Sequence, residues 1–136
     1  MVIPKVLIVD DNEDITDLLS KFLKSKGFDV VVTNDPWDGL RRIQKEQFDV
    51  ILLDIIMPEF TGLQIIAALA ADEILSDQNI FIFSANFGHD TQIKNLLRRD
   101  GINGCLRKPI KLYELLTAIT RRPLQFHNNL GEICYE

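Results

Sequence analysis

Cysteine is scarce in this chain, which has only Cys105 and Cys134 among its 136 residues. The two residues do not form a CxxC motif, and neither has the spacing of a metal-ligand set. This scarcity argues against a disulfide-stabilised scaffold. We therefore expect Cys105 to be a small core residue and Cys134 to be a thiol in the tail.

Positive charge is also in deficit, with 15 lysine and arginine residues against 20 aspartate and glutamate residues. The formal net charge of −5 has the wrong sign for a domain that holds nucleic acid by neutralising its phosphates. We expect no nucleic acid contact by this domain.

Long apolar runs are missing as well. No segment approaches the roughly 20 apolar residues of a membrane span. The opening MVIPKVLIVDDNED lacks the basic region and the apolar stretch of a signal peptide. We expect a soluble, cytoplasmic protein without membrane contact. The composition, 46% hydrophobic and 26% charged, is that of one globular domain with a single core.

The apolar residues that are present alternate between two periods. Lys5 to Val9 form a short β-branched run, and the next residues have helical spacing, with Asn12 as a candidate N-cap and Gly27 as a stop. The same alternation predicts further strands at 29–33, 50–53, 80–83 and 104–106, and further helices at 36–46, 63–75, 89–99 and 112–121.

Five strands alternating with five helices predict a doubly wound α/β domain, in which helices cover both faces of a parallel sheet. We place this domain at residues 1–122. Residues 123–136 show no clear period and are a tail, a linker stub or a docking segment.

Polar side chains follow four of the five predicted strands. Asp10 and Asp11 end the first strand, Asp54 the third and Ser84 the fourth, and Lys108 follows the fifth. In an open parallel sheet, ligands bind where the loops after the strands converge. The sequence therefore predicts three carboxylates, a hydroxyl and an ammonium in one crevice.

Asp54 lies within the apolar run ILLDIIMP, where an unpaired charge is costly. Three clustered carboxylates repel one another unless a divalent cation that prefers oxygen ligands neutralises them, and Mg²⁺ is the natural occupant. A carboxylate oxygen is also a nucleophile for phosphoryl transfer, in which a metal and a lysine stabilise the developing charge.

Each of these residues alone has a simpler explanation. Asp10 and Asp11 could be helix caps or surface acids, Ser84 a polar strand end and Lys108 a surface charge. A structural salt bridge to Lys108 would also compensate Asp54. The functional hypothesis rests on finding all of them at the ends of the correct strands.

The motifs IVDDNED, ILLDIIMPEFTG, FSA and LRKP resemble, in order and spacing, the response-regulator receiver domains of two-component signalling, the CheY-like superfamily. The resemblance covers about residues 5–121. It implies a flavodoxin-like fold with strand order 2-1-3-4-5. It also implies a domain that accepts a phosphoryl group from a histidine kinase or phosphotransfer protein and changes shape. Such a domain carries only self-phosphorylation and self-dephosphorylation chemistry and is not an enzyme.

The resemblance also assigns the metal ligands and the acceptor. Asp54 would be the phosphoacceptor and a ligand of Mg²⁺. Asp11 would bind the metal directly, Asp10 would bind it through water, and the backbone carbonyl of Ile56 would be a further ligand.

The remaining positions follow from the same resemblance. Ser84 would hydrogen-bond one phosphoryl oxygen and Lys108 would pair with another. A cis bond between Lys108 and Pro109 would aim the lysine into the site. Pro58 and Gly62 would shape the loop after the acceptor strand.

Two positions depart from the family pattern. Cys105 stands where the family usually has an aromatic switch residue, so we expect weak coupling between the site and the fifth strand. Ile56 stands where well-studied members often have a polar residue, so we expect it to influence the lifetime of the phosphoryl group. Phosphorylation itself needs neither side chain.

The partners implied by the resemblance are the kinase and a downstream protein or an output domain beyond residue 122. A homodimer through the fourth helix, fifth strand and fifth helix is a further expectation. Two other functions compete. A metal-dependent phosphatase with an aspartyl nucleophile would need a second acid two residues after Asp54, where Ile56 stands. A flavodoxin-like binding module would need a phosphate loop rich in Ser, Thr and Gly in place of DDNED.

Overall fold

The computed structural model describes residues 3–57, 61–85, 91–120 and 134–135. Its strands are β1 (Lys5–Val9), β2 (Asp29–Thr33), β3 (Val50–Asp54), β4 (Ile80–Ser84), β5 (Ile102–Arg107) and β6 (Cys134–Tyr135). Its helices are α1 (Glu13–Ser25), α2 (Pro36–Lys45), α3 (Gly62–Ala71), α4 (Thr91–Leu97) and α5 (Leu112–Thr120). A short 3-10 helix occupies Leu75–Asp77.

The strands form one parallel sheet in the order β2-β1-β3-β4-β5-β6. The predicted five-stranded order 2-1-3-4-5 is confirmed. Beyond it, β6 pairs with β5 and makes Cys105 and Cys134 register partners. Part of the segment that showed no clear period in the sequence therefore adds a strand at the edge of the sheet.

Two apolar cores explain why β3 and β4 are apolar at nearly every position. On one face, residues such as Leu40, Ile65 and Ile93 bring α2, α3 and α4 against the sheet. On the other face, Leu19 and Leu115 do the same for α1 and α5. Because both faces of the central strands are covered, their side chains alternate between two cores and not between core and solvent.

The start of α1 agrees with the sequence, since the side chain of Asn12 accepts hydrogen bonds from the backbone N–H groups of Asp14 and Ile15. The predicted helix at 63–75 was too long, because α3 ends at Ala71. Glu73 has a positive φ of 60°, and the N–H groups of Glu73 and Ile74 donate to the carbonyls of Ala70 and Leu69. This is a Schellman motif with a glutamate where glycine is usual, so the stop was not visible in the sequence.

Helix α4 ends at Leu97, before the predicted end at residue 99, and the predicted start at residue 89 lies outside the described residues. Cys105 is fully buried, as predicted for a core residue. Among the described residues, no helix combines the length and the hydropathy that a membrane crossing requires.

Candidate functional site

The carboxyl ends of β1 and β3 bring the three predicted aspartates together. Asp10, Asp11 and Asp54 each offer a carboxylate oxygen, and these oxygens lie within 4.8 Å of one another. Asp10 and Asp54 are buried, with 0% and 3% of their surface exposed, whereas Asp11 is exposed. The cluster thus has two buried acids and an open side.

Lys108 connects the two buried acids. Its Nζ lies 3.3 Å from Asp10 Oδ2 and 3.2 Å from Asp54 Oδ1. The peptide bond between Lys108 and Pro109 is cis, as the resemblance implied. The backbone N–H of Lys108 donates to the carbonyl of Ser84 at 3.0 Å, which fixes the lysine to the end of β4.

Ser84 is buried at the end of β4. Its preceding residue, Phe83, is the register partner of Asp54, so Ser84 lies one position beyond the last register pair of β3 and β4. The structure therefore places Ser84 at the same edge of the sheet as Asp54 and Lys108.

The loop after β3 is held close to Asp54. The N–H of Ile56 donates to Asp54 Oδ1 at 3.3 Å, and 62% of Ile56 is exposed. The N–H of Gly62 donates to the carbonyl of Ile55 at 3.0 Å. A Cβ on Gly62 would lie 2.3 Å from the carbonyl oxygen of Asp54, so only glycine fits there. Pro58 lies outside the described residues.

The charges in the site are not balanced by Lys108 alone. Burial raises the pKa of Asp54 to about 6 from its ordinary 3.8, and the negative charge of Asp10 adds to this increase. Burial alone would lower the pKa of Lys108, but its attraction to Asp54 and Asp10 outweighs this effect and raises the pKa. A further positive charge beside the aspartates would therefore stabilise the ionised site.

This imbalance predicts a pH dependence of stability. The raised pKa means that the folded protein favours the protonated form of Asp54. The protonated carboxyl therefore contributes stability that is fully present below pH 3.8 and is lost as the pH rises through about 6. Asparagine does not titrate. Without divalent cations, Asp54→Asn should gain stability over the wild type by on the order of 2 kcal/mol between pH 4 and 7.

Urea unfolding of both proteins at a series of pH values, in the presence of a chelator, measures this difference. A difference that stays constant across the range would contradict the raised pKa.

Comparison with known proteins gives a family. The sequence model described as "Response regulator receiver domain" matches residues 6–120. This chain belongs to the response-regulator receiver family. Family membership agrees with the strand order of the parallel sheet. It also agrees with the acidic cluster at the carboxyl ends of β1 and β3.

The receiver domain is similar to the transcriptional regulatory protein CpxR homolog of Haemophilus influenzae, with 32% identity over 133 residues, which cover 95% of this chain and 56% of the relative. The chain spans about half the length of the curated relatives it matches.

Solved structures of receivers superpose on the chain. The chemotaxis protein CheY4 of Vibrio cholerae matches with a TM-score of 0.77 and 29% identity, over 88% of this chain and 98% of that one. The receiver domain of the sensor histidine kinase PA1611 from Pseudomonas aeruginosa matches with a TM-score of 0.76 and 26% identity, over 88% and 97% of the two chains. That structure is described with a magnesium ion coordinated in its active-site cleft.

Sequence reasoning missed the residues that hold this receiver's first acidic loop in place. Asn34, after β2, donates from its side chain to the carbonyl of Asp10. Asn12, which was expected only as a helix cap, also donates its N–H to Asp10 Oδ1. Asn34 is not distinguishable in the sequence from an ordinary polar loop residue, and the predicted N-cap role of Asn12 gives no sign of its bond to Asp10.

Proposed function

We propose that this receiver domain accepts a phosphoryl group on Asp54 from a histidine kinase or phosphotransfer protein. The observation that carries the proposal is the junction of Asp54 with Asp10 and Lys108, in which one ammonium lies within 3.3 Å of both buried carboxylates. A nucleophilic carboxylate beside a fixed positive charge is the arrangement that phosphoryl transfer requires.

The acidic cluster fits a divalent cation. Its oxygens are close enough to share one ion, and they are hard ligands. Burial and the charge of Asp10 raise the pKa of Asp54, so a cation beside it would favour the ionised carboxylate. Asp10, Asp11, Asp54 and the backbone carbonyl of Ile56 would hold Mg²⁺, with Asp10 acting through water. When bound, Mg²⁺ would neutralise charge on the carboxylates and on the phosphoryl oxygens.

Each residue of the site would then have its own role in phosphoryl transfer. An oxygen of Asp54 attacks the phosphorus atom, an acyl phosphate bond forms, and the bond from phosphorus to the donor's leaving group breaks. Lys108 moves from its contacts with the aspartates to one phosphoryl oxygen, and the hydroxyl of Ser84 donates to another. Because the protein mainly positions charge, the domain needs no general acid of its own.

A phosphatase is less well supported. Such an enzyme uses a second acid two residues after its nucleophile, and here that residue is the exposed Ile56. The chemistry we propose is therefore limited to the domain's own phosphorylation and dephosphorylation.

The protein or domain that responds to the signal would lie outside the described receiver domain. The Haemophilus relative is named a transcriptional regulatory protein, and this chain covers about half of it. We propose that the receiver itself does not contact nucleic acid, that it acts in the cytoplasm, and that it signals to a downstream protein or an attached domain. A homodimer through α4, β5 and α5 would have to accommodate or displace β6, which pairs along β5.

Intact mass spectrometry after incubation with acetyl phosphate tests this function. With Mg²⁺ the wild-type chain should gain one phosphoryl group, and with excess chelator it should gain none. Turnover of many equivalents of acetyl phosphate without a phosphorylated chain would favour the phosphatase. No gain in mass and no turnover would favour a binding module.

Ile56→Asn should speed the loss of the phosphoryl group about tenfold, which corresponds to roughly 1.4 kcal/mol in the barrier. The exposed branched alkyl side chain follows Asp54 by two residues and would screen the phosphoryl group from water, whereas an amide could orient attacking water. The decay of phosphorylated protein after removal of the donor, at fixed Mg²⁺, gives the rate.

Ile3→Asn is the matched control, because Ile3 is also 62% exposed but precedes β1 at the opposite end of the sheet. Its decay rate should equal that of the wild type. Equal rates in all three proteins would remove side-chain control at position 56.

A further inference from the structure

Asn34 makes two side-chain hydrogen bonds at the edge of the acidic site. It follows β2 directly, and its Nδ2 donates to the backbone carbonyl of Asp10 at 2.8 Å and to Oγ1 of Thr16 at 2.9 Å. One amide group therefore connects the loop between β2 and α2 to the end of β1 and to the first turns of α1.

The hydrogen bond from Asn34 to the Asp10 carbonyl affects the positions of both Asp10 and Asp11. That carbonyl belongs to the peptide group between Asp10 and Asp11, so its direction sets the orientation of the peptide plane that joins them. The N–H of Asp10 donates to the carbonyl of Thr33 at 3.3 Å, and Asp10 Oδ1 accepts from Asn12 N–H at 3.0 Å. Lys108 Nζ contacts the other carboxylate oxygen of Asp10 at 3.3 Å. Asn34 constrains the peptide group at the junction of the two acids.

An amide is the side chain that suits this position. Both acceptors need a donor, since a backbone carbonyl has no hydrogen and the Thr16 hydroxyl already donates to the carbonyl of Glu13 at 3.1 Å. The amide nitrogen provides two hydrogens in a fixed plane. A carboxylate at position 34 could donate to neither acceptor.

We propose that Asn34 is a positioning residue for the cation site, and that it sets Mg²⁺ affinity by orienting the Asp10–Asp11 peptide. The inference rests on the proposed function. Residues that orient metal ligands in this way typically change metal affinity by about 10–100-fold when removed. Asn34 contacts no carboxylate oxygen in the hydrogen bonds described, so it would act through the backbone alone.

The experiment is a calorimetric titration of the full chain with Mg²⁺ alone, together with the Mg²⁺ dependence of phosphorylation by acetyl phosphate. Asn34→Ala should raise the Kd for Mg²⁺ about tenfold. At saturating Mg²⁺ its phosphorylation rate should stay within about twofold of the wild type, because the ligands themselves remain. Thr16→Val, which keeps the bond from Asn34 to Asp10, should change the Kd much less.

Asn79→Ala is the matched control. Its side chain donates to the carbonyl of Asp49 at 2.9 Å, which is the same type of bond at the opposite end of the sheet. The control should lose stability but keep the wild-type Kd. Asn34→Ser, whose side chain is too short for both acceptors, replaces the alanine variant if that protein does not fold.

The outcomes separate the two proposals. If the wild type binds Mg²⁺ and Asn34→Ala and Asn34→Ser bind it with the same Kd, the positioning role is wrong and the proposed function stands. If the wild type itself binds no Mg²⁺, the cation site and the role of Asn34 are both overturned. A tenfold weaker Kd with an unchanged control supports the inference.

Discussion

Replacing Lys108 by methionine is expected to slow phosphorylation of the receiver by about 100-fold or more, the usual effect of removing one fixed group that stabilises transition-state charge. Methionine keeps the apolar stem of the side chain and removes the ammonium, which lies within 3.3 Å of Asp10 and Asp54. The same change should tighten Mg²⁺ binding, because the ammonium occupies the carboxylates that the cation needs. Rapid-mixing assays with acetyl phosphate and a Mg²⁺ titration measure the two effects.

Lys111→Met provides the control for Lys108→Met. The side chain of Lys111 is 74% exposed and pairs only with Glu114, at 3.6 Å, among the ion pairs described. Its removal should leave both the rate and the Mg²⁺ affinity unchanged. A Lys108→Met protein that is phosphorylated at the wild-type rate would show that the lysine is only a structural partner of the two acids.

Gly62→Ala should destabilise the domain by about 1–3 kcal/mol, as overpacking of a closely packed site does. The new Cβ would meet the carbonyl oxygen of Asp54 at 2.3 Å and the Cα of Ile55 at 2.9 Å, and both are backbone atoms that cannot rotate away. Because the displaced backbone carries Asp54, Mg²⁺ affinity should fall as well. Urea unfolding and calorimetry report the two losses.

Gly27→Ala separates crowding from backbone strain. Gly27 has a φ of +93°, which disfavours alanine, but a Cβ there would meet nothing within 4 Å. It follows α1 at the far end of the sheet from Asp54. This variant should lose some stability and keep the wild-type Mg²⁺ affinity. Equal losses of affinity in both glycine variants would contradict the crowding argument.

Sequence periodicity predicted the sheet and its five helices because each element buries an apolar face of the expected period. It was wrong where a boundary depends on a single backbone conformation. The end of α3 is set by the positive φ of Glu73, and glutamate gives no signal for it. The pairing of β6 was also beyond prediction, since a two-residue strand has no period to detect.

The candidate site could likewise be predicted from the sequence only in part. Asp10, Asp54 and Lys108 could be predicted to meet, because residues at the carboxyl ends of neighbouring parallel strands share one edge of the sheet. The role of Asn34 could not be predicted, because its bond joins residues 24 positions apart in the sequence. The resemblance named Gly62, but the close approach of the Asp54 carbonyl to it depends on the path of the loop. Such contacts are set by tertiary packing and leave no local pattern.

Comparison of the wild type with Asp54→Asn tests the central claim most directly. After equal exposure to acetyl phosphate and Mg²⁺, intact mass spectrometry should show one phosphoryl group on the wild type and none on the variant. Asp17→Asn, which changes an acid on α1 whose side chain is 65% exposed, should be phosphorylated like the wild type. Phosphorylation of Asp54→Asn to the wild-type level would contradict the assignment of Asp54 as the acceptor.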